Sequence, residues 1–146
     1  MESGGRAGGR KAEESLMARV KTGAAGPCPC GAGEYVLCCG RYHGGALPET
    51  AEQLMRSRYS AYALGSMDYV RDTWHPRTRP HDLQHDTETK WLGLEIRRHA
   101  AAGNEAVVEF AARYKLNGRA QRMHETSRFV REQGRWFYVD GSFPED

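Results

Sequence analysis

The 146 residues, 39% hydrophobic and 27% charged, suffice for one compact domain with a small appendage. A mean hydropathy of −0.74, with no apolar run near the ~20 residues of a membrane span, excludes an integral helical membrane protein. The net charge of +2 arises from 21 basic and 19 acidic side chains and lies entirely in residues 1–26; the rest of the chain is balanced, which sets aside a nucleic-acid binder that works mainly through phosphate electrostatics. Residues 1–26 are Gly-, Ala- and Arg-rich, lack the apolar core of a secretory signal, and carry Glu2, Glu13 and Glu14 against an organelle transit peptide. This composition predicts a disordered tail, with one fraying turn around Glu13–Val20 and a second candidate start at Met17. A cytoplasmic location follows.

All four cysteines fall within the next stretch: Cys28, Cys30, Cys38 and Cys39. Cys28 and Cys30 are too close for an easy disulfide, and a bridge between the adjacent Cys38 and Cys39 strains the peptide between them. Four thiolates can instead surround one Zn²⁺ tetrahedrally. Pro29 stiffens the first pair, Gly31 permits a tight turn that points amide N–H groups at sulfur, and Gly40 releases the chain after the last ligand. The spacer Ala32 to Leu37 has room for a turn and a short helix-like return. His43 is the alternative fourth ligand, and free thiols in a hydrophobic plug or a redox dithiol are the alternatives to metal. Four cysteines close the coordination shell, so the expected zinc is structural rather than catalytic, and it supplies the folding free energy of a segment too small for its own core.

From Pro48 onward the pattern is helical. Thr50-Ala-Glu-Gln53 has capping-box spacing, and Met55, Tyr59 and Tyr62 recur behind it, widened by Leu54 and Ala63. Gly65 ends this helix; Ser66 is the expected cap of a second one that buries Met67 and Val70 and stops at His75-Pro76. Residues 77–89 read as a long polar loop, with a helical turn around Asp82–His85, and as a candidate lid or rim. The period then becomes two. Leu92, Leu94 and Ile96 share a strand face, Ala100 to Asn104 makes a turn, and Ala106, Val108, Phe110, Ala112, Tyr114 and Leu116 line a second strand. Asn117-Gly118 is a tight hairpin signal; residues 120–132 return, and Gln133-Gly134 turns the chain into Trp136–Asp140. Two helices before four antiparallel strands define an α+β domain whose sheet buries one face under the helices.

The run Cys28-Pro-Cys-Gly31, followed by Tyr35-Val-Leu-Cys-Cys-Gly40, resembles the SEC-C zinc motif found on the tail of the bacterial translocation ATPase SecA, with a spacer one residue shorter. Leu54-Met-Arg-Ser-Arg-Tyr-Ser-Ala-Tyr62, Thr73-Trp-His-Pro76, Trp91-Leu-Gly-Leu94 and Ser127-Arg-Phe-Val-Arg-Glu-Gln-Gly-Arg-Trp-Phe-Tyr-Val-Asp-Gly141 resemble the YchJ family of bacterial proteins. Together they span roughly 27–143. The resemblance implies a SEC-C-type zinc knuckle over residues 27–46 and a cone-shaped, nuclear transport factor 2-like α+β domain over 47–146, with a curved antiparallel sheet packed on helices.

Two functions follow as expectations. SEC-C tails resemble adapters, which implies a protein-interaction module holding one structural Zn²⁺, with a protein partner at an exposed edge made by Arg41, Tyr42 and His43. The alternative, implied by the fold, is a small-molecule-binding or acid/base enzyme of isomerase or dehydratase type using a pocket in the cone. The pocket candidates are His75, His124, Glu125, Ser127 and Arg128, with Trp74 and Trp91 as walls. Strand geometry puts His124, Thr126 and Arg128 on one face and Glu125 and Ser127 on the other. His124 with Arg128 suits an anion, and Glu125 with a distant His75 suits an acid/base pair. Each has a structural alternative: a turn histidine at His75, cross-strand ion pairs at Glu125 and Arg128, core packing at the tryptophans. A buried arginine at Arg56 or Arg58 calls for a carboxylate, with Asp68, Asp72 or Asp140 as candidates.

Overall fold

The computed structural model describes residues 26–143; the predicted tail before Gly26 and its turn around Glu13–Val20 lie outside the described residues. The described chain opens as a narrow hairpin. The Tyr35 amide donates to the Gly26 carbonyl (3.1 Å) and the Cys28 amide to that of Gly33 (2.7 Å), closing the loop that carries Cys28 and Cys30. A 3₁₀ turn over Tyr35–Leu37 then delivers Cys38 and the short helix α1, Cys39–His43. Gly40 therefore does not release the chain. It lies inside α1, where a Cβ would stand 2.6 Å from the Tyr35 carbonyl oxygen and 3.0 Å from its ring.

Helix α2 spans Ala51–Leu64 and begins with the predicted capping box. The Gln53 amide donates to Thr50 Oγ1 (3.1 Å), while Gln53 Oε1 accepts from the Thr50 amide (3.3 Å), so two otherwise free amides are satisfied. The helix ends at Gly65. Helix α3, Met67–Asp72, lacks the expected side-chain cap from Ser66, whose φ of −84° and ψ of 70° depart from the extended backbone a capping hydroxyl needs. Between α3 and the sheet no helical turn forms at Asp82–His85. The His85 ring instead packs on Gly65 at the end of α2.

Four strands follow as an antiparallel meander in the order β1-β2-β3-β4: β1 Thr89–Ala102, β2 Glu105–Leu116, β3 Arg119–Glu132 and β4 Arg135–Ser142. Ala100, Ala101 and Ala102 pair with Val107, Ala106 and Glu105, so the expected five-residue turn shrinks to Gly103-Asn104. Asn117 (φ 54°) and Gly118 (φ 76°) both take positive φ, the backbone a two-residue hairpin of native twist requires. One face of the sheet, with Ala106, Val108, Phe110 and Ala112 of β2 and Phe129 and Trp136 beyond, is buried against α2. Register shifts in β1 between Trp91 and Gly93 and between Ile96 and Arg98 break the expected alternation. Trp91, Leu94 and Ile96 pack on the core, whereas Leu92 is turned outward and 40% exposed. A bulge has this effect because the extra residue shifts the side-chain parity. Among the described residues no helix is long and apolar enough to cross a membrane.

Candidate functional site

The first candidate site is the cysteine cluster. The hairpin brings Cys28 and Cys30 to the place where the 3₁₀ turn and α1 deliver Cys38 and Cys39, and all four sulfurs lie within 4.8 Å of one another. Cys30 Sγ and Cys38 Sγ are 3.5 Å apart. A tetrahedron with ~2.3 Å metal–sulfur bonds has edges of about 3.8 Å, so the spread suits one ion of the zinc type. Gly31 takes a φ of 86° and its amide donates to the Cys28 carbonyl (2.9 Å), which makes the expected tight turn beside the first two thiols. Burial and then the Cys30 sulfur push the Cys38 thiol up to about 11; a bound cation reverses that tendency by favouring thiolates. The donor set fits a metal.

His43 is not a ligand. Its Nε2 contacts the Ser57 carbonyl (2.9 Å); a carbonyl only accepts, so Nε2 carries the proton and Nδ1 accepts from the Tyr35 hydroxyl (2.7 Å). Both ring nitrogens are occupied, and burial lowers the pKa of the imidazole, consistent with this neutral tautomer. The knuckle is fastened to α2 by this bond, by Arg56 Nη1 donating to the Cys30 carbonyl (3.1 Å), and by the contact of Cys28 Sγ with Ser60 Oγ (3.3 Å). Tyr42 is buried and His43 half-buried, so of the expected recognition edge the structure leaves Arg41 exposed. The large apolar residues that face solvent on the knuckle, among the described residues, are Val36 and Leu37.

The second candidate site lies between α2 and the sheet, a cavity of about 170 Å³. Met55, Tyr59, Phe110 and Met123 make apolar walls, and Arg58, Tyr62, Glu125, Ser127 and Tyr138 bring polar groups to it. Trp91 lines it too, packing edge-on against Tyr59, so it serves as core and wall together. Glu125 Oε2 accepts from Ser127 Oγ (3.0 Å) and from the Tyr138 hydroxyl (3.4 Å). Burial raises the Glu125 pKa above the usual carboxylate range, with the Ser127 and Tyr138 bonds and the Arg58 charge opposing. The carboxylate rests on the backbone of Gly141: a Cβ there would stand 1.8 Å from Glu125 Oε2.

Arg58 is 3% exposed, and among the described residues no carboxylate bonds to it. Nη1 donates to the Val70 carbonyl (2.9 Å) and to Thr73 Oγ1 (2.7 Å), and the guanidinium carbon stands over the rings of Tyr138 (4.4 Å) and Trp74 (5.1 Å). The expected acidic partners are engaged elsewhere or exposed: Asp68 pairs with Arg71, Asp140 with Arg128, and Asp72 faces solvent. Two aromatic faces and two neutral acceptors take the place of a counter-charge.

The remaining pocket candidates are not brought together. His75 is buried, but it contacts Glu132 Oε2 (3.0 Å), accepts from the Arg77 amide (3.0 Å) and packs edge-on against Phe137. Glu132 has the strand parity opposite to Glu125, so His75 and Glu125 form no acid/base pair. His124 contacts Glu109 Oε2 (2.7 Å), and Arg128 makes two bonds to Asp140 (2.7 and 2.8 Å); no shared anion site results, because each already has a carboxylate across the strands. The loop 77–89 contributes no residue to the cavity. Sequence reasoning missed Tyr62 and Tyr138 as cavity groups and misjudged Arg58. The available signal was the arginine itself, which shares a helix face with Met55, Tyr59 and Tyr62.

A four-cysteine knuckle fastened to a cone-shaped, nuclear transport factor 2-like α+β domain is an architecture shared with solved SEC-C motif containing proteins. The chain belongs to the YchJ family, also designated UPF0225. Residues 50–141 match the family description "YchJ, middle NTF2-like domain". The chain is 59% identical over 124 residues to a UPF0225 protein of Cupriavidus pinatubonensis, covering 79% of this chain and 87% of that one. It is 57% identical over 131 residues to a UPF0225 protein of Chromobacterium violaceum, covering 84% and 97%. Among solved structures, a SEC-C motif containing protein from Rhodopseudomonas palustris is similar with a TM-score of 0.74 at 35% identity, over 82% of this chain and 100% of that one. One from Psychrobacter arcticus gives 0.69 at 29%, over 86% of each.

Proposed function

We propose that this protein binds a small molecule in the cone cavity and that one structural Zn²⁺ in the cysteine knuckle holds the N-terminal segment against α2. The convergence of buried Arg58, Glu125 and Ser127 on an otherwise apolar cavity carries this reading, because buried polar groups aimed at one space are what a ligand site needs for orientation. The zinc assignment is supported by the all-sulfur donor set in a closed shell, and a reducing, cytoplasmic setting suits four thiols kept free for metal. A second reading, an adapter that docks a protein partner at the knuckle, is supported by exposed Val36 and Leu37 (40% and 73%) beside Arg41.

Elemental analysis of reduced, natively purified protein is expected to return one zinc per chain. NMR titration with benzyl alcohol, a neutral ring of the right size, is expected to shift the resonances of Met55, Phe110 and Met123 in the wild type and not in Ala112→Leu, whose added atoms occupy the cavity. Unchanged spectra in both proteins would leave the cavity without a binding role and favour the adapter.

A further inference from the structure

On the reading that the cavity is the ligand site, we propose that its ligand is a small carboxylic acid with a hydrogen-bond donor beside an apolar, ring-sized body. The carboxylate sits on Arg58 and the donor on Glu125 Oε1. The inference starts from what each charged group leaves unbonded. A guanidinium has five N–H groups. The two on Arg58 Nη1 meet Val70 and Thr73; the three on Nε and Nη2 find no acceptor among the described residues, and these nitrogens are not among the fully buried atoms, in a residue that lines the cavity. That free edge is the planar fork that takes a carboxylate through two parallel bonds. Glu125 is unbalanced in the complementary sense. Both protein donors reach Oε2, and Oε1 accepts from nothing among the described residues, so it calls for a hydroxyl or ammonium of the ligand.

Size narrows the body. A cavity of about 170 Å³ is close to the ~150 Å³ of an engineered apolar cavity that admits benzene and below the roughly 300–1,000 Å³ of drug-sized sites. Met55, Phe110, Met123 and Trp91 offer carbon and sulfur surface to a ring or a branched chain. A compact hydroxy acid or amino acid complements both charges at once. A simple acid satisfies Arg58 alone, and a neutral hydroxyamide offers a donor to Glu125 but no charge to Arg58.

The test titrates the full, metal-loaded chain with four probes that share a phenyl ring: mandelate, phenylglycine, phenylacetate without the donor, and mandelamide without the carboxylate. Mandelate or phenylglycine is expected to bind at least tenfold more tightly than phenylacetate and at least tenfold more tightly than mandelamide, the size of one lost charge-assisted hydrogen bond; which of the two binds tighter separates hydroxyl from ammonium. Arg58→Lys is expected to erase most of the preference for acid over amide. Should that variant not fold, Glu125→Gln, read against folded wild type by its spectrum, is expected to bring the better donor-bearing acid within about threefold of phenylacetate. Mandelamide binding as tightly as the acids, phenylacetate binding as tightly as mandelate and phenylglycine, or binding by benzyl alcohol but by none of the four, overturns the ligand class and leaves the cavity reading standing. Silence from benzyl alcohol and all four probes overturns both.

Discussion

Arg58 and Glu125 share one buried cavity without an ion-pair contact, and Tyr138 is the reason. Its ring lies under the guanidinium at 4.4 Å while its hydroxyl donates to the carboxylate at 3.4 Å. Burial pushes the Tyr138 phenol far above its ordinary pKa, so it remains a donor. The carboxylate is fixed from below by Gly141, the residue paired with Ser127 across β3 and β4, because any side chain there would occupy the space of Oε2. Gly141→Ala must therefore move the carboxylate off Ser127 and Tyr138. We expect a loss of about 1–3 kcal/mol in urea unfolding, the cost of a buried polar group deprived of its partners. In a Glu125→Ala background the same substitution meets no carboxylate, and most of that loss should disappear. Strict additivity of the two substitutions would show that the Gly141–Glu125 contact carries no energy.

Helix α2 joins everything described above, which is why its sequence pattern is only partly amphipathic. Met55 and Tyr59 face the sheet, Ser60 faces the knuckle, the Ser57 hydroxyl meets Tyr69 of α3, and Arg58 reaches α3 and the cavity. A helix covered on three sides has no wide polar face. Its start nevertheless depends on local chemistry alone. Thr50→Ala removes the acceptor for the Gln53 amide and should cost about 1 kcal/mol, read as a lower urea midpoint at unchanged slope; no shift would mean that packing by itself holds the first turn. Local signals of this kind made much of the fold legible: the capping box, the Asn117-Gly118 hairpin, the six alternating residues of β2 and the four clustered cysteines each act over a few residues. What stayed hidden is set by long-range geometry. Leu92 faces out because β1 bulges against its partner, and Arg58 lacks a carboxylate because Trp74 and Tyr138, distant in sequence, close over it. The parity of β3 correctly separated Glu125 from Arg128. Pairing Glu125 with His75 across the sheet lay beyond what a strand period can report.

At the scale of the whole molecule the knuckle and the cone share one core. Cys28, Cys30, Tyr35 and Cys39 pack in the same cluster as Leu54, Phe110 and Phe129, so the segment that carries the proposed metal site also roofs one side of α2. The two parts still have different sources of stability. Residues 26–46 contain one short helix and a 3₁₀ turn, and on the proposed zinc assignment they depend on a metal that contributes on the order of 10 kcal/mol to such sites, whereas the roughly 100 residues from Leu47 bury a sheet and two helices of their own. Removing the metal with a strong chelator under reducing conditions, or substituting Cys39→Ser, should therefore collapse the amide dispersion of residues 26–46 while hydrogen exchange in β2 and β3 stays protected. The cone should not escape untouched. Loss of the His43 bond to the Ser57 carbonyl and of the Arg56 bond to the Cys30 carbonyl, with the uncovering of Ser57 and Ser60, removes a few kcal/mol of packing and bonding, and each kcal/mol lowers the Tm of a domain this size by roughly 4–8 °C. A fall of about 10 °C or more with retained β2–β3 protection is the expected pair of results. Simultaneous loss of protection throughout the sheet would mean that the cone cannot fold without its metal-bound roof.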